Sequence, residues 1–416
     1  MRFQSHTTLV TAIAVLTATT FQFGFARPAL ARHVAGPPPV LAAPVDNVRD
    51  FGATGNGVID DTTAINNAAA DALATHKTVF FPAGTYLHAS PVTFNSVAVA
   101  GAGAGSVLVA NNPANCAVIL TGSNVSIQNM VISTQGLSGF SSLGSPQTAT
   151  LLLQNASSFT VAADTIVQGA NLWGALVLNS SVGAINSVAF DGSGHVNDCG
   201  VAIDLSHNVT VQNSLFQNES IGVDIFPTGG ASQSIAILSN TIGDVTWPIT
   251  QFGIYAQGAD NMDIAQNTIQ TLNSTGTYAA ILNADNDFTV QGNNTWGGIY
   301  AFDIVHAGSG TNVVTQNAMH NCGYAAIALN NLASSAVQIT NNVFGECGLF
   351  GISSVILVTG VGADASGANT FVQNNSYQGH LNFLGSYVNC TFTAPHIPAS
   401  HVTGNTQTQT ALSNII

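Results

Sequence analysis

The 416-residue chain sets only five Lys and Arg against nineteen Asp and Glu, a formal charge of −14, and just 6% of its residues are charged. No Lys or Arg follows Lys77, so the chain has no cationic patch to hold a phosphate backbone, and nucleic acid is excluded as a partner. Solubility must rest on Asn, Ser, Thr and Gln, a surface suited to an acidic medium.

Residues 1–31 read as a secretory signal: Arg2, an apolar run near Leu9 to Leu16, then Ala29-Leu30-Ala31 as a small-residue cleavage site. Its removal leaves Arg32, Arg49 and Lys77 against nineteen acids, 3 − 19 = −16. No later stretch is apolar for long enough to span a bilayer, so the expected product is soluble and exported, extracellular or periplasmic. Residues 32–47 form a Pro-rich linker around Gly36-Pro37-Pro38-Pro39.

Next come Asp50-Phe51-Gly52-Ala53-Thr54-Gly55-Asn56-Gly57 and Asp60-Asp61-Thr62-Thr63-Ala64-Ile65. The glycines supply turns, and Asp60 or Asp61 can cap a helix over about 62–75 with Ile65, Ala68, Ala69 and Leu73 on one face. Such a helix covers the open end of a solenoid, whose unpaired strand edges and apolar core would otherwise meet water. Val79-Phe80-Phe81-Pro82-Ala83-Gly84-Thr85-Tyr86 then reads as a first coil.

These three signatures, D-F-G-A-x-G-x-G, D-D-T-x-A-I and V-x-F-P-x-G-x-Y, resemble the N-terminal cap and first coil of the pectate-lyase-3-like proteins. That group of right-handed parallel β-helices includes rhamnogalacturonase-like, polygalacturonase-related and phage tailspike members. The resemblance implies a right-handed, single-stranded parallel β-helix over 48–390, a C-terminal tail over 391–416 and a polysaccharide partner. It gives Asp50, Asp60 and Asp61 structural places in turns and caps.

From about residue 125 to 377 a loose repeat runs through the chain: VSIQNMVI at 125, FTVAADTI at 159, IAILSNTI at 235, MDIAQNTI at 262 and VQITNNVF at 337. Its turn residues are Met130, Asp164, Ser187, Ser214, Asn240, Asn267, Asn293, Asn317, Asn342 and Asn375, mostly about 23 to 27 residues apart. Each unit holds short period-2 strands and no room for a long helix, which predicts a coil of stacked strands independently of the resemblance. Asn at the corner tolerates left-handed backbone and can ladder its amide.

Aligning the second strand of each coil by its opening small residue puts Gly174, Gly200, Gly222, Gly253, Ala280, Ala301 and Ala326 in register. Two residues on, facing outward, stand Leu176, Ala202, Asp224, Tyr255, Leu282, Asp303 and Ala328; four on stand Leu178, Asp204, Phe226, Gln257, Ala284, Val305 and Asn330. Asp204 and Asp224 become diagonal neighbours with α-carbons about 8 Å apart, in the range an inverting glycosidase needs. Asp198, just before the same strand, completes the candidate catalytic cluster Asp198, Asp204 and Asp224. Asn197-Asp198-Cys199-Gly200-Val201-Ala202-Ile203 also resembles the D-D-C-I-A-I motif of polygalacturonases, which implies Asp198 as the second catalytic aspartate with Asn197 in place of the first. The N-T-D, G-H-G and R-I-K motifs of that family have no counterparts here.

Tyr255, Trp247, Asp303 and His306 are candidates to contact substrate, the aromatic rings by stacking on sugars. Asp260-Asn261-Met262-Asp263 and Asp285-Asn286-Asp287 offer oxygens to calcium without the Gly and Glu of a recognised loop, so no metal or other cofactor is assigned. Glu219 reads as an isolated loop or surface residue. Cys322 and Cys347 each follow a turn Asn by five residues and should stack on adjacent coils, close enough for a disulfide or for two buried thiols. Three functions suit this pattern, in the order glycoside hydrolase, non-catalytic glycan binder, and lyase or epimerase. The last lacks the positive charge that would stabilise its anionic intermediate. For the same reason the expected glycan is neutral, esterified or acetylated.

Overall fold

The computed structural model describes residues 44–112, 117–138, 149–195, 198–272, 274, 276–283, 285–305, 310–330, 336–345, 356–359, 370–378, 380–381, 387–388 and 399–408. Over these the chain winds as a parallel β-helix. Each coil contributes up to three short strands; the first two belong to a continuous 24-stranded array and the third to a 14-stranded sheet. Apart from one antiparallel pair, His380–Leu381 with Tyr387–Val388, every pairing is parallel and joins one coil to the next. Strand Val45–Asn47 pairs with Thr78–Phe81, and strands Val402–Thr403 and Thr406–Thr408 continue the two sheets. The coil therefore includes residues that the sequence reading placed in the linker and the tail.

Alternation puts one apolar residue of every second position inside, and the coil repeat stacks like on like. Along the first strands runs Val201, Val223, Ile254, Ala280, Phe302 and Ile327, all buried; along the third runs Phe216, Ile242, Ile269, Thr295, Met319 and Phe344. Phe190 and Phe216 stack face to face on adjacent coils, 4.8 Å between centroids.

Helix Thr62–Thr75 covers the N-terminal end with Ile65, Ala68, Ala69 and Ala72 buried against the first coils. The two aspartates before it divide their work. Asp60 accepts the Thr62 backbone N–H, whereas Asp61 turns back to accept from Thr54 N and Gly55 N at 2.7 and 3.0 Å, tying the glycine turn to the helix start. Arg49 donates to the Ala83 carbonyl, and Lys77 pairs with Asp46 at 2.8 Å, so both described cations are occupied at the cap.

The corner preceding each third strand carries the expected ladder, with a division of labour the sequence did not reveal. The left-handed residue is the one before the ladder position: Asn213, Ser239, Gln266, Gln316, Asn341 and Asn374 have φ between 51° and 59°. The next residue ladders: Asn240, Asn267, Asn293, Asn317, Asn342 and Asn375 each pass an amide N–H to the next Asn Oδ1 at 2.9–3.0 Å, the last of them to Asn405. Each Oδ1 also takes the backbone N–H of the preceding ladder residue, and each amide donates to a carbonyl one coil back, such as Asn267 Nδ2 to Ile237 O at 2.8 Å. In the coil assigned to Ser187 the ladder position is Val188, because Ser187 takes the left-handed place with φ 57°.

Two acids take ladder positions at corners, Asp164 before a third strand and Asp285 before the second strand Asn286–Gln291. Asp164 is fully buried and accepts Met130 N at 2.9 Å, with its carboxyl held far above the usual range by desolvation. Asp285 accepts Ala259 N at 2.6 Å and is pushed up to about 7 by burial. Each keeps one oxygen without a hydrogen-bond partner.

Asn267→Ala should destabilise the protein by about 2–4 kcal/mol in denaturant titrations, since it strands the buried Asn240 N–H and breaks the amide ladder in mid-run. The raised carboxyls bind protons more tightly folded than unfolded, so the stability that Asp285 contributes is full below about pH 4 and is lost as pH rises through about 7. Melting temperatures measured from pH 4 to pH 8 should decline, and Asp285→Asn should flatten part of that decline.

Candidate functional site

The outward row of the first strands runs Leu152, Leu176, Ala202, Asp224, Tyr255, Ile281, Asp303 and Ala328. One coil differs from the sequence alignment. Strand Tyr278–Asn283 sits one residue earlier, so Ala279 takes the opening place, Ile281 faces outward and Leu282 is buried in the core. Ala279 and Ala280 are both small, so the sequence leaves the opening residue ambiguous, and the register that forms buries Leu282 and turns Ile281 outward.

The three expected catalytic aspartates fall in different surroundings. Asp198 lies at the corner before its strand, buried, and its carboxylate accepts four hydrogen bonds: from Asn171 N, Ser193 N, Ser193 Oγ and His195 N at 2.7–2.9 Å. That arrangement ties Asn171, Ser193 and His195 to the corner that Asp198 occupies and commits both of its oxygens to hydrogen bonds. Asp204 ends its strand on the outer parity, as expected, but Thr228 closes over it, the backbone N–H donating to Oδ1 at 3.1 Å and the hydroxyl to Oδ2. Asp224 pairs with Ala202, two residues before Asp204, which preserves the diagonal relation and its separation of about 8 Å. Its Oδ1 has no partner, and desolvation pushes the carboxyl up to about 7.

Leu176, Ala202 and Cys199 face outward yet are buried, because Trp173 and Phe226 pack across them with ring centroids 5.7 Å apart. This apolar lid closes the N-terminal part of the face just before Asp224. Beyond it the face opens onto rings. Phe252, Tyr278 and Tyr300 stand one above another at the start of successive strands, 5.7 and 5.9 Å between centroids, and Tyr324 continues the stack at 6.2 Å. Tyr255 lies beside Phe252, near-parallel at 5.2 Å. All five are half-buried.

Asp303 stands two rungs beyond Tyr255 and accepts the Asn330 amide; burial pushes it up to about 6. Burial, helped by the Asp303 charge, in turn holds the Tyr300 phenol at about 12 and raises that of Tyr278. Asp224 and Asp303 are three rungs apart, about 14 Å, too far to act as an acid and base on one glycosidic bond. Of the other candidates, Trp247 is exposed on the loop that leads into Phe252, while His306 and Cys347 lie outside the described residues. Cys322 is a buried free thiol.

Two readings change. Glu219 is buried instead of exposed, its Oε2 accepting Gln168 Nε2 at 3.1 Å and its carboxyl raised well above the usual range by desolvation. The tyrosine stack went unread in the sequence, although Phe252, Tyr278, Tyr300 and Tyr324 recur at the coil period. The alignment began at the small residue after each ring, which left the ring itself in the turn. The two acidic stretches considered for calcium lie on adjacent coils, but Asp260 accepts Asn286 Nδ2 at 2.6 Å and Asp287 accepts Thr311 N at 2.7 Å. Among the described residues no group of three or more His, Cys, Asp or Glu is disposed to hold a metal ion.

The fold is shared with several solved structures. The surface adhesin PfbA of Streptococcus pneumoniae superposes with a TM-score of 0.58 at 16% identity, covering 80% of this chain and 90% of that one. The tailspike gp61 of Pseudomonas phage phi297 gives 0.54 at 13% identity, covering 80% and 72%. The catalytic unit of the GH87 α-1,3-glucanase of Streptomyces thermodiastaticus gives 0.52 at 15% identity, covering 86% and 72%. Among curated proteins, the non-secreted LysM effector LysM19 of Penicillium expansum is 46% identical over 56 residues, a stretch that covers 11% of this chain and 4% of that protein. Among the described residues no helix is long and apolar enough to cross a membrane. Residues 45–276, more than half of the sequence, match the family described as rhamnogalacturonase A/epimerase, pectate lyase-like, and the chain belongs to that family.

Proposed function

We propose that this protein is exported and binds a neutral polysaccharide on the outer face of its first strands, the glycan lying along the Phe252, Tyr278, Tyr300 and Tyr324 stack. The observation that carries this reading is the stack itself. Four half-buried rings, tilted 33–54° against one another, form an unbroken row at intervals on the order of one sugar unit, with polar groups beside them. Sugar rings offer apolar C–H faces and a hydroxyl rim, and aromatic bodies with nearby hydrogen-bonding groups match both. Asp224 and Asp303 flank the row; protonated, each offers a hydroxyl donor as well as an acceptor to sugar hydroxyls. Arg49 and Lys77 are engaged at the cap, so a row of uronate carboxylates would meet no compensating cation.

Glycoside hydrolysis is a second reading, favoured by the diagonal Asp204 and Asp224. Asp224, raised to about 7, would protonate the leaving oxygen, and Asp204 would activate water once Thr228 moved aside.

Titration calorimetry against a panel of neutral and acidic polysaccharides tests both. Tyr278→Ala and Tyr300→Ala should each weaken binding of a neutral glycan about ten-fold, with Thr210→Ala on the neighbouring face without effect. Asp224→Asn should keep binding within a few-fold; if the wild type also releases reducing ends, that variant should lower release by orders of magnitude. Tight, calcium-independent binding of demethylated polygalacturonate at moderate salt, with neutral glycans ignored, would refute the proposal.

A further inference from the structure

The loop between strands Thr241–Ile242 and Phe252–Gln257 carries an exposed apolar group that the fold does not need. Val245 and Trp247 are 80% and 49% exposed, and Leu272 on the next coil is 40% exposed. They are held out in a built turn. Asp244 Oδ1 accepts Thr246 N and Trp247 N, both at 2.7 Å, its Oδ2 accepts Gln217 Nε2 at 3.0 Å, and its own N–H donates to Trp247 O at 3.1 Å. Ile249 ties this loop to the next coil, donating to Gln270 O at 2.9 Å and accepting from Leu272 N at 3.0 Å, so Leu272 stands beside the same turn. The loop runs directly into Phe252, the first ring of the stack, and the 271–277 connection runs into Tyr278, the second. The apolar group is therefore an outward wall carried on the two connections that end at the first two rings.

Such a wall is mismatched to a glycan that presents only hydroxyls, which would lose water there and gain no partner. It is also mismatched to free carboxylates, for which no cation is at hand. A methyl group carried on an ester fits both constraints: it removes or avoids charge and brings apolar surface to meet Val245, Trp247 and Leu272. We infer that the Asp244-braced turn and Leu272 form an apolar subsite for small ester groups, O-acetyl or methyl ester, on the glycan held by the ring stack. This rests on the glycan-binding reading and adds to it the substituent that the site selects.

The test compares binding of acetylated glucomannan with its alkali-deacetylated form, and of highly methyl-esterified pectin with its de-esterified form, using wild type and the surface double variant Val245→Asn/Leu272→Asn. Asp244 is left in place to keep the turn, and the circular dichroism melt of the variant should match the wild type. Burial of one methyl carries a several-fold gain in affinity, so the wild type should prefer the substituted form of at least one pair by about five- to ten-fold. The double variant should bind both forms of that pair equally, at the wild-type level for the unsubstituted form. The acetyl pair decides freely of charge, because deacetylation creates no anion; a preference confined to pectin and abolished in the variant assigns the methyl ester as the source. A wild type indifferent to substitution, or a variant that keeps the wild-type ratio, overturns the subsite. Either result, with Tyr278→Ala still weakening both forms, leaves the glycan face standing; binding to none of the four glycans fails the glycan reading and the subsite with it.

Discussion

Backbone hydrogen bonds between successive coils are the interaction on which this molecule depends. Among the described residues every strand except the His380–Leu381 and Tyr387–Val388 pair is bonded to strands of neighbouring coils, so the unpaired edges of the coil fall at its ends. Helix Thr62–Thr75 covers the first end. At the corners, where strand pairing lapses, the Asn ladder takes over: each amide accepts a backbone N–H and donates to a carbonyl of the preceding coil, and donates to the Asn Oδ1 of the next, so bends that would otherwise bury unpaired polar groups are closed. The chain can therefore do without ion pairs. Lys77 with Asp46 and Asp71 accounts for the salt bridges among the described residues, and both lie at the cap.

Stacking in register also converts one residue per coil into a continuous row, and what such a row does depends on where it lies. Inside, it becomes a column of Phe, Ile and Val. On the outer face at the strand starts, it becomes the line of Phe252, Tyr278, Tyr300 and Tyr324. The same rule separates aspartates that look alike in the sequence. Asp198 falls at a corner, where nearby N–H groups converge on its carboxylate, whereas Asp224 falls on a strand whose N–H groups are already committed to neighbouring coils. One carboxylate is satisfied, and the other is buried with an oxygen unpartnered and its proton retained toward neutral pH.

Coil length is almost constant because the core section is, so variation is pushed into the connections. The 243–251 loop is where an extra turn could be added without disturbing register, and there the chain displays apolar side chains to solvent. Combined with a ring-lined face that carries no Lys or Arg among the described residues, this gives a surface whose chemistry is hydroxyl, phenol, carboxyl and hydrocarbon.

By itself the sequence determined the coil. The repeat, the inward apolar positions, the capping helix over 62–75 and the corner asparagines were legible, because period-2 alternation and turn chemistry act between residues close in the chain. The outward placement of Asp224, Tyr255 and Asp303 was legible too, since it follows from alternation and register. Three things were decided only by tertiary structure. The one-residue offset at Tyr278–Asn283, where two alanines stand side by side, is fixed only by pairing with Phe252–Gln257 on the adjacent coil. The commitment of Asp198 and Asp204 depends on Asn171 and Thr228, supplied by other coils, with Ser193 and His195 adding local bonds to Asp198. The ring stack and the burial of Glu219 depend on which residues of different coils come face to face. A local pattern specifies which way a side chain points; only the neighbouring coil specifies what it meets, and that meeting sets whether a carboxyl is a staple, a buried acid or part of a binding face.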